Sequence, residues 1–128
     1  LIFSDADVVT LHMPLMDSTK NSIGAAQFAK MKKGSYFINC ARGGIVDEEA
    51  LYEALTTGRL GAAGLDVFED EPVSRNSPLL TLENVALSPH LGTSVQETRV
   101  KMAVTAAEEV IRVLRDEQPA YPLFSLSA

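Results

Sequence analysis

The stretch "INCARGGIVDEEAL", residues 38–51, joins an apolar run, a sharp turn and the start of a helix. The residues up to Cys40 read as the end of a buried strand. Gly43 and Gly44 then let the backbone bend tightly and let a ligand come close. Asp47, followed by Glu48 and Glu49, reads as the N-cap and acidic first turn of a helix. Strand, turn and helix in direct succession form the repeating unit of an α/β sheet. The turn itself has three readings on these residues. Cys40 is a nucleophile, or Arg42 is an anion clamp, or the whole is a plain turn with a solvated arginine.

The same alternation extends in both directions. Apolar, β-branched runs stand at residues 7–12, 35–40, 62–68 and 84–89. None alternates strictly between polar and apolar, so they predict strands buried on both faces of a parallel sheet. Helices are predicted over 25–31 and 47–60, ending near Gly34 and Gly58, and over 94–116. In the last, Ser94 and Glu97 make a capping box. Met102, Ala103, Ala106, Val110, Val113 and Leu114 mark a buried stripe. Residues 69–84 read as a loop and 117–128 as an extended tail whose Tyr121, Leu123, Phe124 and Leu126 call for a packing surface. The opening "LIFSDADVV" reads as a helix end running into a strand, the mark of a piece of a longer protein. The fold class expected is α/β, the second half of a doubly wound parallel sheet joined by right-handed crossovers.

Composition narrows the function. The chain has 128 residues, enough for one domain of ordinary size, and 46% are apolar. A net charge of −6 argues against a nucleic-acid binder. No apolar run approaches the roughly 18 residues of a membrane span. One cysteine gives neither a disulfide nor a zinc pattern, and suits a cytoplasmic location. No metal-ligand cluster, Walker loop or GxSxG elbow is present. "GRLGAAG" (58–64) has the spacing GxxGxxG and precedes a strand, so it is no dinucleotide fingerprint.

In open parallel sheets ligands bind beyond the carboxyl ends of the strands. Those ends hold His12–Pro14, Cys40–Gly44, Asp66–Pro72 and Pro89–Thr93, which include both histidines, the cysteine, an arginine and several carboxylates. Each has a plain alternative. Glu71 lies in an acidic run that a solvated face would explain, and only Pro72, which restricts it to an extended backbone, singles it out. His90 is a structural histidine or one poised by Pro89 and Gly92. Asp66 ends an apolar strand, so if buried it needs a partner. Cys40 reads best as a small buried apolar residue.

Together, "DVVTLHMPLMDSTKN", "INCARGGIVDEEAL", "GLDVFEDEP" and "SPHLG" resemble, in order, the D-isomer-specific 2-hydroxyacid dehydrogenases, a family that includes 3-phosphoglycerate dehydrogenase and the glyoxylate/hydroxypyruvate reductases. The resemblance spans nearly the whole chain and implies an incomplete, Rossmann-like NAD-binding domain over 1–116, with 117–128 leading towards a missing substrate domain. It implies an oxidoreductase acting on a 2-oxo or D-2-hydroxy acid, with Arg42, Glu71 and His90 catalytic. Arg42 would clamp the carboxylate, His90 would exchange the proton and Glu71 would orient His90. Met13, Cys40, Ala41, Arg42, Asp66, His90, Leu91, Gly92 and Thr93 match cofactor-contact positions. Glu71 before Pro72 separates the chain from the related formate dehydrogenases, and "HLGTSVQETR" is more similar to the phosphoglycerate, glyoxylate and hydroxypyruvate enzymes than to D-lactate dehydrogenases.

The glycine fingerprint and the acid that reads the adenine ribose are both missing from the sequence, so NAD and NADP both stay open, with NAD favoured. The chain alone is expected to be inactive and its parent to be a homodimer. A second reading on the same fold is an NAD-sensing, corepressor-like interaction module of the C-terminal-binding-protein type.

Overall fold

The computed structural model describes residues 2–122. The chain divides after Leu91 into two compact units. In the first, a helical turn α1 (Ile2–Asp5) leads into β1 (Val8–Leu11), followed by α2 (Ala25–Phe28), β2 (Ser35–Asn39), α3 (Glu48–Thr56), β3 (Leu60–Leu65) and β4 (Val85–Leu87). The strands form one sheet in the order β1-β2-β3-β4. All its pairs are parallel, with Leu11 opposite Asn39, Asn39 opposite Leu65 and Leu65 opposite Leu87. Strand ends that lie in register at one edge of the sheet bring the turns that follow them together.

Local chemistry sets the elements much as expected. The Asp47 side chain caps α3 by accepting the Ala50 N–H at 3.0 Å. Gly58 closes that helix with φ 69°, a conformation open to glycine at little cost. "GRLGAAG" proves to be the turn into β3 and most of β3 itself. The helix predicted over 25–31 is shorter, a single turn, and the loop over 69–84 contains a short 3-10 segment at Pro78–Thr81.

The core lies on one face of the sheet. Phe28 and Met31 from the α2 region, Leu51 and Leu55 from α3, and Val9, Leu11, Phe37, Leu60, Ala63 and Leu65 from the strands form one buried cluster. Phe28 and Phe37 meet edge to face at 5.2 Å. The expectation of strands buried on both faces is corrected. β1 and β2 alternate, with Phe37 buried and Tyr36 52% exposed. α2 and α3 pack on one face, and the residues of the opposite face, such as Val8 and Tyr36, are left open.

The second unit contains α4 (Gln96–Leu114). Two expectations fail there. Val95, not Ser94, takes the N-cap position, without a side-chain cap bond, and Ser94 Oγ instead accepts a bond from Arg99 at 3.2 Å. No residue of α4 is buried, so the expected buried stripe is not found within this unit. An amphipathic pattern fixes which face wants burial, and burial also needs an opposing surface. Past the helix the chain turns back, with the amides of Ala120 and Tyr121 donating to Glu109 at 2.7 and 3.1 Å. Tyr121 is 76% exposed. Leu123, Phe124 and Leu126 lie outside the described residues. No described helix is long and apolar enough to cross a membrane.

Candidate active site

The turn after β2 is held from within by Asn39, which is 1% exposed. Its Oδ1 accepts the Ala41 N–H at 3.0 Å and its Nδ2 donates to the Arg42 carbonyl at 3.1 Å. A buried amide is kept only when so satisfied. From outside, the Asn21 amide donates to the Gly44 carbonyl at 2.9 Å. Gly43 is the tightest point. A Cβ there would lie 1.8 Å from the Phe68 carbonyl oxygen and 2.5 Å from the Glu69 nitrogen. The glycine therefore admits the chain's own 68–69 backbone rather than a ligand. This contact ties the Arg42 turn to the segment that carries Glu71.

The turn after β4 is held by Asp66. It is 7% exposed, and its Oδ1 accepts Ser88 Oγ at 2.5 Å and the Leu91 amide at 2.8 Å. Its carbonyl accepts the His90 amide at 2.9 Å, which continues the β3–β4 ladder into the loop. The partner demanded of a buried Asp66 is thus Ser88 together with the Leu91 backbone. His90 stands in the left-handed region with φ 54°, an uncommon state for a residue bearing a Cβ.

These two turns converge on Glu71. Its Oε2 lies 2.7 Å from His90 Nδ1, and its Oε1 accepts the Phe68 amide at 3.1 Å. The His90 hydrogen bond holds the Glu71 carboxyl below its ordinary value. Partial burial opposes this, and the Phe68 amide with the His90 and Arg42 charges lowers it further. Arg42 thus acts on Glu71 through space, while its Nη1 donates to the Ala41 carbonyl at 2.7 Å. The Glu71–Pro72 peptide bond is cis.

Two recesses flank this group. One, of 590 Å³, is lined by His12, Met13, Pro14, Leu15, Cys40, Ala41 and Arg42. The other, of 240 Å³, is lined by Phe68, Glu71, Pro72, Val73, Pro89 and His90. Of the expected cofactor positions, Met13, Cys40, Ala41 and Arg42 share the first, His90 lines the second, and Asp66 and Leu91 brace the His90 turn. Gly92 and Thr93 form a turn in the second unit. Cys40 is exposed in the cleft and not buried as expected. β2 alternates, and burial of Asn39 puts Cys40 on the other side. Sequence reasoning missed Asn39 and Ser88. An amide at the end of an apolar strand, immediately before a turn, was the available signal for Asn39; Ser88 had none. Among the described residues, no group of three or more His, Cys, Asp or Glu side chains could hold a metal ion.

Comparison with known proteins places the chain in a family. Residues 1–92 match the family model described as "D-isomer specific 2-hydroxyacid dehydrogenase, NAD binding domain". The chain belongs to this family. It is 49% identical over 116 residues to glyoxylate/hydroxypyruvate reductase B of Cronobacter sakazakii, covering 91% of the chain and 36% of that protein. Against the D-3-phosphoglycerate dehydrogenase of Methanocaldococcus jannaschii it is 51% identical over 112 residues, 88% of the chain and 21% of that protein. The D-lactate dehydrogenase of Lactobacillus jensenii, solved with NAD+, superposes with a TM-score of 0.86 at 32% identity, over 96% of the chain and 41% of that structure. The chain thus spans about a third or less of the length of these curated relatives. Its four parallel strands with helices are a Rossmann-like part of this family's NAD-binding domain.

Proposed function

We propose that these residues carry the catalytic half of an NAD(P)-dependent oxidoreductase that interconverts a 2-oxo acid and a D-2-hydroxy acid. The observation that carries this reading is the 2.7 Å His90–Glu71 pair under the influence of Arg42, beside a cleft at the strand ends. A nicotinamide cofactor supplies or accepts the hydride at the substrate's C2. The 590 Å³ cleft is of a size to hold the nicotinamide end of a dinucleotide. Met13, Cys40, Ala41 and Arg42, which line this cleft, would hold it, with Asp66, His90 and Leu91 at the neighbouring turn and NAD favoured over NADP.

The residues divide the remaining work. Arg42 presents a planar fork of donors, suited to a substrate carboxylate and to polarising the neighbouring ketone, which a lysine point charge does less well. His90 gives a proton to the carbonyl oxygen during reduction and takes it back during oxidation. Glu71, kept ionised, accepts Nδ1–H, which fixes the tautomer and leaves Nε2 for the substrate. Similarity to a glyoxylate/hydroxypyruvate reductase B and a D-3-phosphoglycerate dehydrogenase favours glyoxylate, hydroxypyruvate or phosphoglycerate-type substrates. The lone cysteine supports a cytoplasmic location, and the parent protein is proposed to be a homodimer.

The deciding experiment is Arg42→Ala in the whole protein, assayed with glyoxylate, hydroxypyruvate and 3-phosphoglycerate-type acids. Loss of an electrostatic clamp predicts a fall in kcat/KM of about a thousandfold, with little recovery in Arg42→Lys. Unchanged turnover would remove Arg42 from the site. The 128-residue chain by itself is expected to show no oxidation of a 2-hydroxy acid, since its sequence lacks a glycine-rich phosphate turn.

A further inference from the structure

We propose that Glu48 is a positioning residue: from the first turn of α3, its carboxylate fixes the 68–71 segment and thereby sets the Glu71 carboxylate against His90. The inference rests on the reading of Glu71 as the group that orients His90. Glu48 Oε1 accepts the Glu69 amide at 2.7 Å. The same Phe68–Glu69 peptide unit is met on its carbonyl side by Gly43. A peptide plane gripped at both its C=O and its N–H cannot rotate without losing one contact. The preceding amide, that of Phe68, is the one that donates to Glu71 Oε1 at 3.1 Å, and Glu71 Oε2 then meets His90 at 2.7 Å. Glu48 therefore stands one peptide away from the hydrogen bond that aims Glu71.

The Glu48 side chain is half-buried. Burial pushes the Glu48 carboxyl above its ordinary range. The Glu69 amide opposes this, and the Glu69 and Asp70 charges add to it. Gly43 and Glu48 belong to one short stretch, so the turn that presents Arg42 and the helix after it hold the segment that presents Glu71. Positions of reacting groups tolerate little error, and a misplacement of about 1 Å can cost 10²-fold in rate.

The test uses Glu48→Ala, Glu48→Gln and Glu48→Asp, with Glu49→Ala as the control for charge at the helix start. Two measurements are made: the Glu71 side-chain titration, followed by carbon-detected NMR, and the steady-state kinetics of the whole protein, giving kcat and KM. Glu48→Ala is expected to move the Glu71 midpoint upward from its lowered position and to reduce kcat about tenfold with KM unchanged. Glu48→Gln keeps an acceptor for the Glu69 amide and should leave both at wild type. Glu48→Asp keeps the charge on a shorter side chain and should behave as the alanine variant, which decides the matter if Glu48→Ala does not fold. An unmoved Glu71 midpoint in a folded Glu48→Ala or Glu48→Asp variant overturns the proposal, as does an equal shift in Glu49→Ala. Because the titration needs no turnover, failure of Glu48 as a positioner is distinct from failure of the dehydrogenase reading, which shows only in the Arg42→Ala assay.

Discussion

The turns that follow β2 and β4 both present a side chain proposed as catalytic, yet different forces hold them. The Arg42 turn is locked sterically, by Gly43 pressed against the Phe68–Glu69 peptide, with Asn39 filling the buried side. The His90 turn is held by hydrogen bonds to a single acid, Asp66, and bears a left-handed histidine. The first should therefore break by volume and the second by loss of polarity. Steric locks fail abruptly, because packed backbone cannot yield by an ångström. Polar ones fail by increments as individual bonds are withdrawn.

The largest effect is expected from Gly43→Ala. Its Cβ would overlap the Phe68 carbonyl, and the resulting displacement should destabilise the fold by about 3 kcal/mol or more. Gly44→Ala is the matched control. Its Cβ would meet only the Leu15 side chain, at 3.5 Å, and should cost less than about 1 kcal/mol. Denaturant titration of the two variants measures the contrast. Equal losses would remove the steric account of the turn.

Next come the two buried polar residues. Asn39→Ala strips the Ala41 amide and Arg42 carbonyl of partners in a buried place, at about 2–3 kcal/mol. Asp66→Asn keeps an oxygen acceptor and should cost about 1–2 kcal/mol, close to the loss in Ser88→Ala. A larger loss in Asp66→Asn than in Asn39→Ala would mean that its charge, not its geometry, holds the His90 turn.

What could be read from residues alone follows the range of the forces involved. Strand and helix order, the Asp47 cap and the need of Asp66 for a partner are local, and the structure reproduces them. Cys40 misled because the buried positions of β2 include Ser35 and Asn39, so polar residues mask an alternation that places Cys40 with Tyr36. The α4 stripe misled because apolar spacing cannot say whether a covering surface is present. Gly43 was legible as a tight turn but not as a contact with residues 68–69, since nothing local marks a neighbour that distant in the chain. The grouping of Arg42, Glu71 and His90 came from family resemblance, and the Glu48 bond from neither source.

The finest contrast lies within the 68–71 segment, where adjacent amides bind carboxylates of opposite behaviour. Phe68 donates to Glu71, whose pKa is lowered, and Glu69 donates to Glu48, whose pKa is raised. A lowered folded pKa gives stability that is present above the ordinary carboxylate value of 4.5 and is lost as pH falls through the folded value. A raised one gives the reverse, a contribution present below the ordinary value and lost as pH rises through the folded value. Denaturant stability measured from pH 7 down to about 3 should therefore show the two partly cancelling in the unaltered chain. Glu71→Gln should remove the loss on the acid side, and Glu48→Gln the loss on the rising side. Both effects are expected to be on the order of a few tenths of a kcal/mol, because the Glu71–His90 pair remains partly in solvent. Parallel slopes in the two variants would show that the segment does not separate the carboxylates, and that one shared field governs both.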